Sequence, residues 1–185
     1  MTAALSPPLG AVIADREPPC MYDVRPLAPG EYERLCVDMP LRSRSHHWAS
    51  LNRQQTGELL YLVAWEGHHA VGHVTLMWRP MNDPTAAVVG CPWVVDLLVH
   101  PDHRSHGAGS ALMRACEDAC QARGEGRIGL AVAVSNQRAR ELYERLGYHD
   151  AGLGEQLMTG SWEDSSGVTH TWEDTVTYLV KPLAN

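Results

Sequence analysis

The chain has 185 residues, the size of one ordinary folded domain. With 44% hydrophobic and 20% charged residues it is excluded from the wholly disordered class. Fifteen basic against 22 acidic residues give a formal charge of −7, the wrong sign for general nucleic-acid binding and a field that favours cationic partners such as amines. No stretch approaches the ~20 uninterrupted apolar residues of a membrane helix. The most apolar region, Ala86 to Val99, is broken by Pro92 and Asp96. There is no Lys or Arg before Arg16, and Pro7-Pro8 interrupts what would be a signal peptide's apolar stretch. The five cysteines are odd in number and lack CxxC spacing, which points to reduced thiols and a cytoplasmic protein rather than a disulfide framework or zinc ribbon.

Residues 1–20 are rich in Ala and Pro and read as a flexible leader, with one domain over 21–185. Met21–Leu27 reads as a short strand closed by Pro26, Ala28–Met39 as a helix, and Ser45–Gly57 as a second helical segment. Leu59–Glu66 is β-branched and aromatic and precedes the turn-like Gly67-His68-His69. Ala70–Arg79 then completes a hairpin. Met81–Gly90, with Asn82-Asp83 and Pro84, reads as a loop, and Cys91–His100 as a strand ending at Pro101. From Ala108 the period changes: Ala111, Leu112, Ala115 and Ala119 form a helical stripe closed by Arg123-Gly124. Cys116 and Cys120, one turn apart, read as small core residues. Arg127–Val134 is an apolar strand, and Asn136 opens a helix with Ala139, Leu142, Tyr143 and Leu146 on one face, ended by Gly147. Glu155–Trp162 and Trp172–Lys181 are strand candidates around Ser165-Ser166-Gly167. The order predicts an α/β (α+β) fold, a mixed sheet with helices packed on it.

The most informative segment is Val99-His-Pro-Asp-His-Arg-Ser-His-Gly-Ala-Gly-Ser110. A strand ends, Pro101 turns the chain, and Gly107 and Gly109 let the main chain approach a ligand closely at a helix start. Free N–H groups there, the positive end of the helix dipole and Arg104 make a phosphate site. An ordinary strand-to-helix turn with a solvated arginine is the alternative. Neither GxxxxGK[ST] nor GxGxxG is present.

The spacing R-x-x-G-x-G at Arg104–Gly109 resembles the pyrophosphate loop of the GCN5-related N-acetyltransferase (GNAT) family. The resemblance continues through Asp96-Leu-Leu-Val-His-Pro-Asp-His-Arg104 and into Asn136-Gln-Arg-Ala-Arg-Glu-Leu-Tyr-Glu-Arg-Leu-Gly-Tyr148. It implies a GNAT fold, mostly antiparallel, with acetyl-coenzyme A in a V-shaped opening between Cys91–His100 and Arg127–Val134. By similarity, backbone groups of Leu98 and Val99 would bond the pantetheine arm. Arg104, Ser105, His106, Gly107, Ala108, Gly109 and Ser110 would hold the pyrophosphate, and Asn136 would bond near the pantetheine.

In the reaction so implied, a neutral amine attacks the thioester, backbone N–H groups around Leu98 stabilise the oxyanion, and Tyr143 gives a proton to the departing sulfur. A helix aromatic packed on the sheet is the alternative for Tyr143. Asp96 interrupts an apolar strand, and the Asp-Leu-x-Val pattern resembles members in which an aspartate assists the amine. Asp96 is therefore the candidate base, with a structural hydrogen-bonding residue as the other reading. Members that place a glutamate earlier on this strand would have it where this chain has Trp93 or Val95. The preferred acceptor is a small-molecule amine. A protein or peptide amine, a longer acyl chain and a non-catalytic coenzyme A sensor stay open, as does the homodimer common in the fold. His46-His47 and Trp48 fall in the segment that usually lines the acceptor pocket, or on an exposed helix face. His100, His103 and His106 around Asp102 invite a zinc reading, but the phosphate loop claims that backbone and no metal is expected.

Overall fold

The structure, a computed structural model, describes residues 21–79 and 84–184; the leader assigned to residues 1–20 lies outside them. Its strands are β1 (Asp23–Pro26), β2 (Leu59–Glu66), β3 (His69–Met77), β4 (Trp93–Val99), β5 (Arg127–Ala133), β6 (His149–Asp150), β7 (Gln156–Glu163) and β8 (Thr169–Pro182). The helices are α1 (Tyr32–Asp38), α2 (Arg44–Gln55), α3 (Pro84–Val89), α4 (Ala108–Ala122) and α5 (Gln137–Arg145). The sheet runs β1-β2-β3-β4-β5-β8-β6, with β7 also paired to β8. Among the described residues only β4 and β5 pair in parallel, and the other pairs are antiparallel.

The central strands are buried on both faces, which is why β2 reads as a continuous apolar run and not as an alternation. On one face Leu62, Ala64, Val74, Leu76, Ile128 and Leu130 pack under α4 and α5, against Leu112, Met113, Cys116, Cys120 and Tyr143. On the other, Leu59, Tyr61, Val63 and Trp65 pack against Leu35, Met39 and Leu51 of α1 and α2. Trp93, Val176 and Tyr178 pack beside Ala86 and Val89 of α3. Cys116 and Cys120 are fully buried small core residues, as their spacing implies.

Three local features differ from or add to the sequence reading. Residues 84–89 of the expected loop form α3. Pro84 sits where proline's fixed φ suits a first helical turn, so it marks a start and not a break; the expectation for 81–83 lies outside the described residues. The two-residue β6 carries no strand signal and exists only through pairing with Leu179 and Val180. The last hairpin extends to Glu163 and begins again at Thr169, polar strand ends held by cross-strand pairing rather than burial. Among the described residues no helix is long and apolar enough to cross a membrane.

Gly129 lies opposite Trp93 where the parallel pair is made, and a Cβ there would fall 2.2 Å from the Trp93 ring. Gly129→Ala is expected to cost about 1–3 kcal/mol by overpacking. Gly126→Ala, which meets nothing within 4 Å, should stay within about 0.5 kcal/mol. Denaturant unfolding of the two variants beside the parent checks this.

Candidate active site

The parallel pairing of β4 and β5 is confined to Trp93↔Gly129 and Val94↔Leu130. Beyond it β4 is distorted. Its register with β3 shifts between His73 and Thr75, and Asp96 takes a left-handed φ of +52° that disfavours a non-glycine residue. Where the strands part there is a cleft of about 540 Å³. Its walls are Leu97, Leu98 and Val99 of β4, the loop through His103, Arg104, Ser105 and Gly107, Gly109 and Ser110 of α4, and Asn136, Arg138, Ala139, Leu142 and Arg145.

One end of the cleft is built for an anion. Gly107 caps α4 with φ +94° and has no side chain to offer, so the first N–H groups of α4 face the cleft uncapped. Arg104 donates through Nε to the Val99 carbonyl at 3.1 Å, and Arg138 donates to the Ser105 hydroxyl at 3.0 Å, bracing the loop from both sides. Arg104, Arg138 and Arg145 thus make a local positive field on an acidic protein. Apolar groups from Leu97, Leu98, Ala139 and Leu142 continue the cleft away from that end. Phosphate at the loop and a slender, largely apolar chain beyond it fit these walls.

Of the residues expected at the cofactor, Leu98, Val99, Arg104, Ser105, Gly107, Gly109, Ser110 and Asn136 line the cleft. His106 is exposed and Ala108 buried, and neither lines it. Tyr143 is also off the wall, 7% exposed, with its ring 6.0 Å from Tyr148 in an edge-on contact. Asn136 sits at the N-cap of α5 with non-helical backbone, its side-chain oxygen accepting from the Ala139 N–H. Burial, and secondarily Cys116, pushes the Tyr143 phenol up to about 12, so it stays protonated at neutral pH.

Beneath the bulge lies a polar cluster. Arg42 donates through Nε to Asp96 Oδ1 at 3.0 Å and through Nη2 to the same oxygen, while its guanidinium stacks 5.1 Å from the Trp162 ring. Asp96 Oδ2 faces His46 Nε2 at 2.9 Å and His73 Nδ1 at 3.7 Å. Burial raises the Asp96 carboxyl, but His46, His73 and Arg42 outweigh it and hold the group well below the usual carboxylate range. A carboxylate held so low takes up protons poorly near neutrality. His47 Nε2 donates to the Met39 carbonyl at 3.2 Å, which leaves Nδ1 to accept from the Tyr61 hydroxyl at 2.8 Å. His73 is wholly buried, with no hydrogen-bond partner for either ring nitrogen among the described residues. Trp48 turns outward, 52% exposed, against Tyr32.

The sequence reading missed Arg138 and Arg145, although their seven-residue spacing on one helix was a usable signal. It also missed Arg42 and His73, which meet Asp96 only through tertiary packing. Of the three loop histidines, His103 lies 3.3 Å from Glu66, and no group of His, Cys, Asp or Glu among the described residues is arranged to hold a metal ion.

Comparison with known proteins points the same way as the geometry. The family model described as "Acetyltransferase (GNAT) family" matches residues 22–148. A curated relative from Bacillus subtilis (strain 168), "Putative ribosomal protein bS18-alanine N-acetyltransferase", is 27% identical over 105 residues, 57% of this chain and 64% of its own length, just under two thirds. The ribosomal-protein-S18-alanine N-acetyltransferase of Escherichia coli superposes with a TM-score of 0.62 at 16% identity, covering 89% of this chain and 96% of the other. The structure of yncA from Salmonella typhimurium with its cofactor acetyl-CoA gives 0.62 at 16% identity, covering 89% and 95%. At such identities the two structures speak for the fold.

Burial lowers His47 to about 4 and His73 to about 3, so both are neutral in the folded protein while their unfolded counterparts titrate near 6.5. Below that value the unfolded chain binds the additional protons, so folding stability falls with pH until the folded values are reached. Between pH 7 and pH 5 the loss is expected to be about 4 kcal/mol for the pair. Denaturant titrations at the two pH values measure it, and a His73→Gln variant should show a shallower loss.

Proposed function

This chain belongs to the acetyltransferase (GNAT) family, and on that footing we propose that it transfers an acetyl group from acetyl-coenzyme A to a primary amine. The observation that carries the proposal is the joining of uncapped helix N–H groups and three arginines to an apolar channel where β4 and β5 separate. The amides from Gly107 to Ser110 hold the pyrophosphate, with Arg104, Arg138 and Arg145 matching the remaining negative charge. Main-chain groups of Leu98 and Val99, freed from β5 by the divergence, bond the pantetheine arm, and an amide on this stretch stabilises the oxyanion. Asn136 closes the channel opposite. Tyr143, protonated at neutral pH, supplies the proton for the sulfur as the C–S bond breaks.

For the acceptor, the acidic balance of the chain supports a small-molecule amine. The Asp96 pattern supports it less than the sequence suggested, because Arg42 already neutralises that carboxylate. A second reading, the α-amino group of a protein N-terminus, is favoured by the relatives from Bacillus subtilis and Escherichia coli, both described as alanine N-acetyltransferases of a ribosomal protein.

Thiol release from acetyl-coenzyme A in the presence of a small-amine panel, and separately of an alanine-starting peptide, decides between these acceptors. Binding of acetyl-coenzyme A with no release in either arm would favour the sensor reading. With the productive acceptor, Tyr143→Phe is expected to lower kcat by about 10²-fold or more with acetyl-coenzyme A affinity unchanged. A kcat equal to the parent's would remove Tyr143 from the chemistry.

A further inference from the structure

We infer that Arg145 reads the 3′-phosphate of coenzyme A and so selects it over the dephosphorylated cofactor; the inference rests on the acetyl-transfer reading above. Arg145 is exposed and lines the cleft from the last turn of α5. The carbonyls at that helix end favour a cation, which accounts for an arginine there but not for its place on the cleft wall. Its guanidinium makes no hydrogen bond, ion pair or ring contact among the described residues. Glu141, one turn before it, is spaced to pair with it and does not, and Glu144 is held by Arg140 at 3.0 Å.

The direction of α5 decides which part of the cofactor Arg145 meets. The helix begins beside the divergence of β4 and β5, where the Asn136 N–H donates to the Ala133 carbonyl at 2.9 Å. In the reading above, the pantetheine arm lies at that end. Arg145 stands about 13 Å further along the helix axis, at the nucleotide end. Between the two, Leu142 approaches the first turn of α4, where a Cβ on Gly109 would lie 3.4 Å from its side chain. Arg145 therefore comes after the pyrophosphate loop along the wall.

Charge complementarity names the ligand. The pyrophosphate carries one negative charge on each phosphorus. Facing it are the N-terminus of α4, equivalent to about half a positive charge, and two arginines. Arg104 is fixed on the Val99 carbonyl and Arg138 on the Ser105 hydroxyl, so both belong to the loop. His103, also on the wall, lies 3.3 Å from the Glu66 carboxylate and brings no positive excess. Arg145 is the cation left over. The 3′-phosphate, a monoester of about −1.5 to −2 charges at pH 7, is the anion left over. A guanidinium suits it, because its fork offers parallel N–H donors to two phosphate oxygens.

Calorimetric titration of the full-length protein at one low ionic strength, with coenzyme A and with 3′-dephospho-coenzyme A, tests the assignment without turnover. The parent is expected to bind coenzyme A about 10-fold or more tighter than the dephosphorylated ligand. Arg145→Gln should lose that difference by weakening coenzyme A alone, with dephospho-coenzyme A bound within about twofold of the parent. Arg145→Lys should keep part of the difference, since the charge stays and the fork goes. Arg138→Ala should weaken both ligands alike. Equal affinity of the parent for the two ligands overturns the inference before any variant is made. An Arg145→Gln protein that keeps the difference overturns it too, because the arginine is then only solvated. Weakening of both ligands by the same factor in Arg145→Gln also overturns it and assigns the residue to the pyrophosphate. A parent that binds neither ligand sinks the acetyl-transfer reading, and the inference with it.

Discussion

The arrangement of this protein depends on one unfinished strand pairing. β4 and β5 meet as parallel neighbours at two positions and then separate, although each remains bonded on its other side, to β3 and β8. The pairing holds where Gly129 lets the Trp93 ring lie across the partner strand. It stops where Asp96 bends β4. The cost of that backbone, about 1–3 kcal/mol for a non-glycine residue at positive φ, is offset by the contacts its carboxylate makes with Arg42 and His46. The same residue that opens the cleft thus also organises the polar cluster beneath it.

Charge is distributed to match. The chain is acidic overall, yet the loop before α4 and the outer face of α5 collect Arg104, Arg138 and Arg145 around uncapped amides. A phosphate-bearing ligand meets a favourable field there. Across the bulge, Arg42 cancels Asp96 and the buried histidines are neutral. The polar cluster beneath the bulge is therefore close to neutral overall.

Much of the frame was legible in the sequence because it is local. The hairpin of β2 and β3, the period change at Ala108 and the glycine stops after α4 and α5 are each written in a few adjacent residues. The phosphate loop was legible for the same reason, since Gly107 and Gly109 have a backbone task that few other residues perform. What could not be read was set by tertiary contact. Asp96 read as a candidate base or as a structural hydrogen-bonding residue, and nothing near it in sequence announces its partner Arg42, 54 residues away. Tyr143 is off the cleft wall because it packs into the core beneath α4 and α5, a contact made by tertiary packing. β6 has no intrinsic strand preference and exists because β8 offers an edge.

In the proposed function, the divergence of β4 and β5 creates the site for acetyl-coenzyme A. Chemical unfolding of the protein at about 100 times the dissociation constant of that ligand tests it most directly, with magnesium–ATP as the control. A gain of about 2.7 kcal/mol is expected with acetyl-coenzyme A. None is expected with ATP, and at the same ligand concentration a smaller gain is expected when Arg138 is replaced by alanine. Equal stability with and without saturating acetyl-coenzyme A would contradict it.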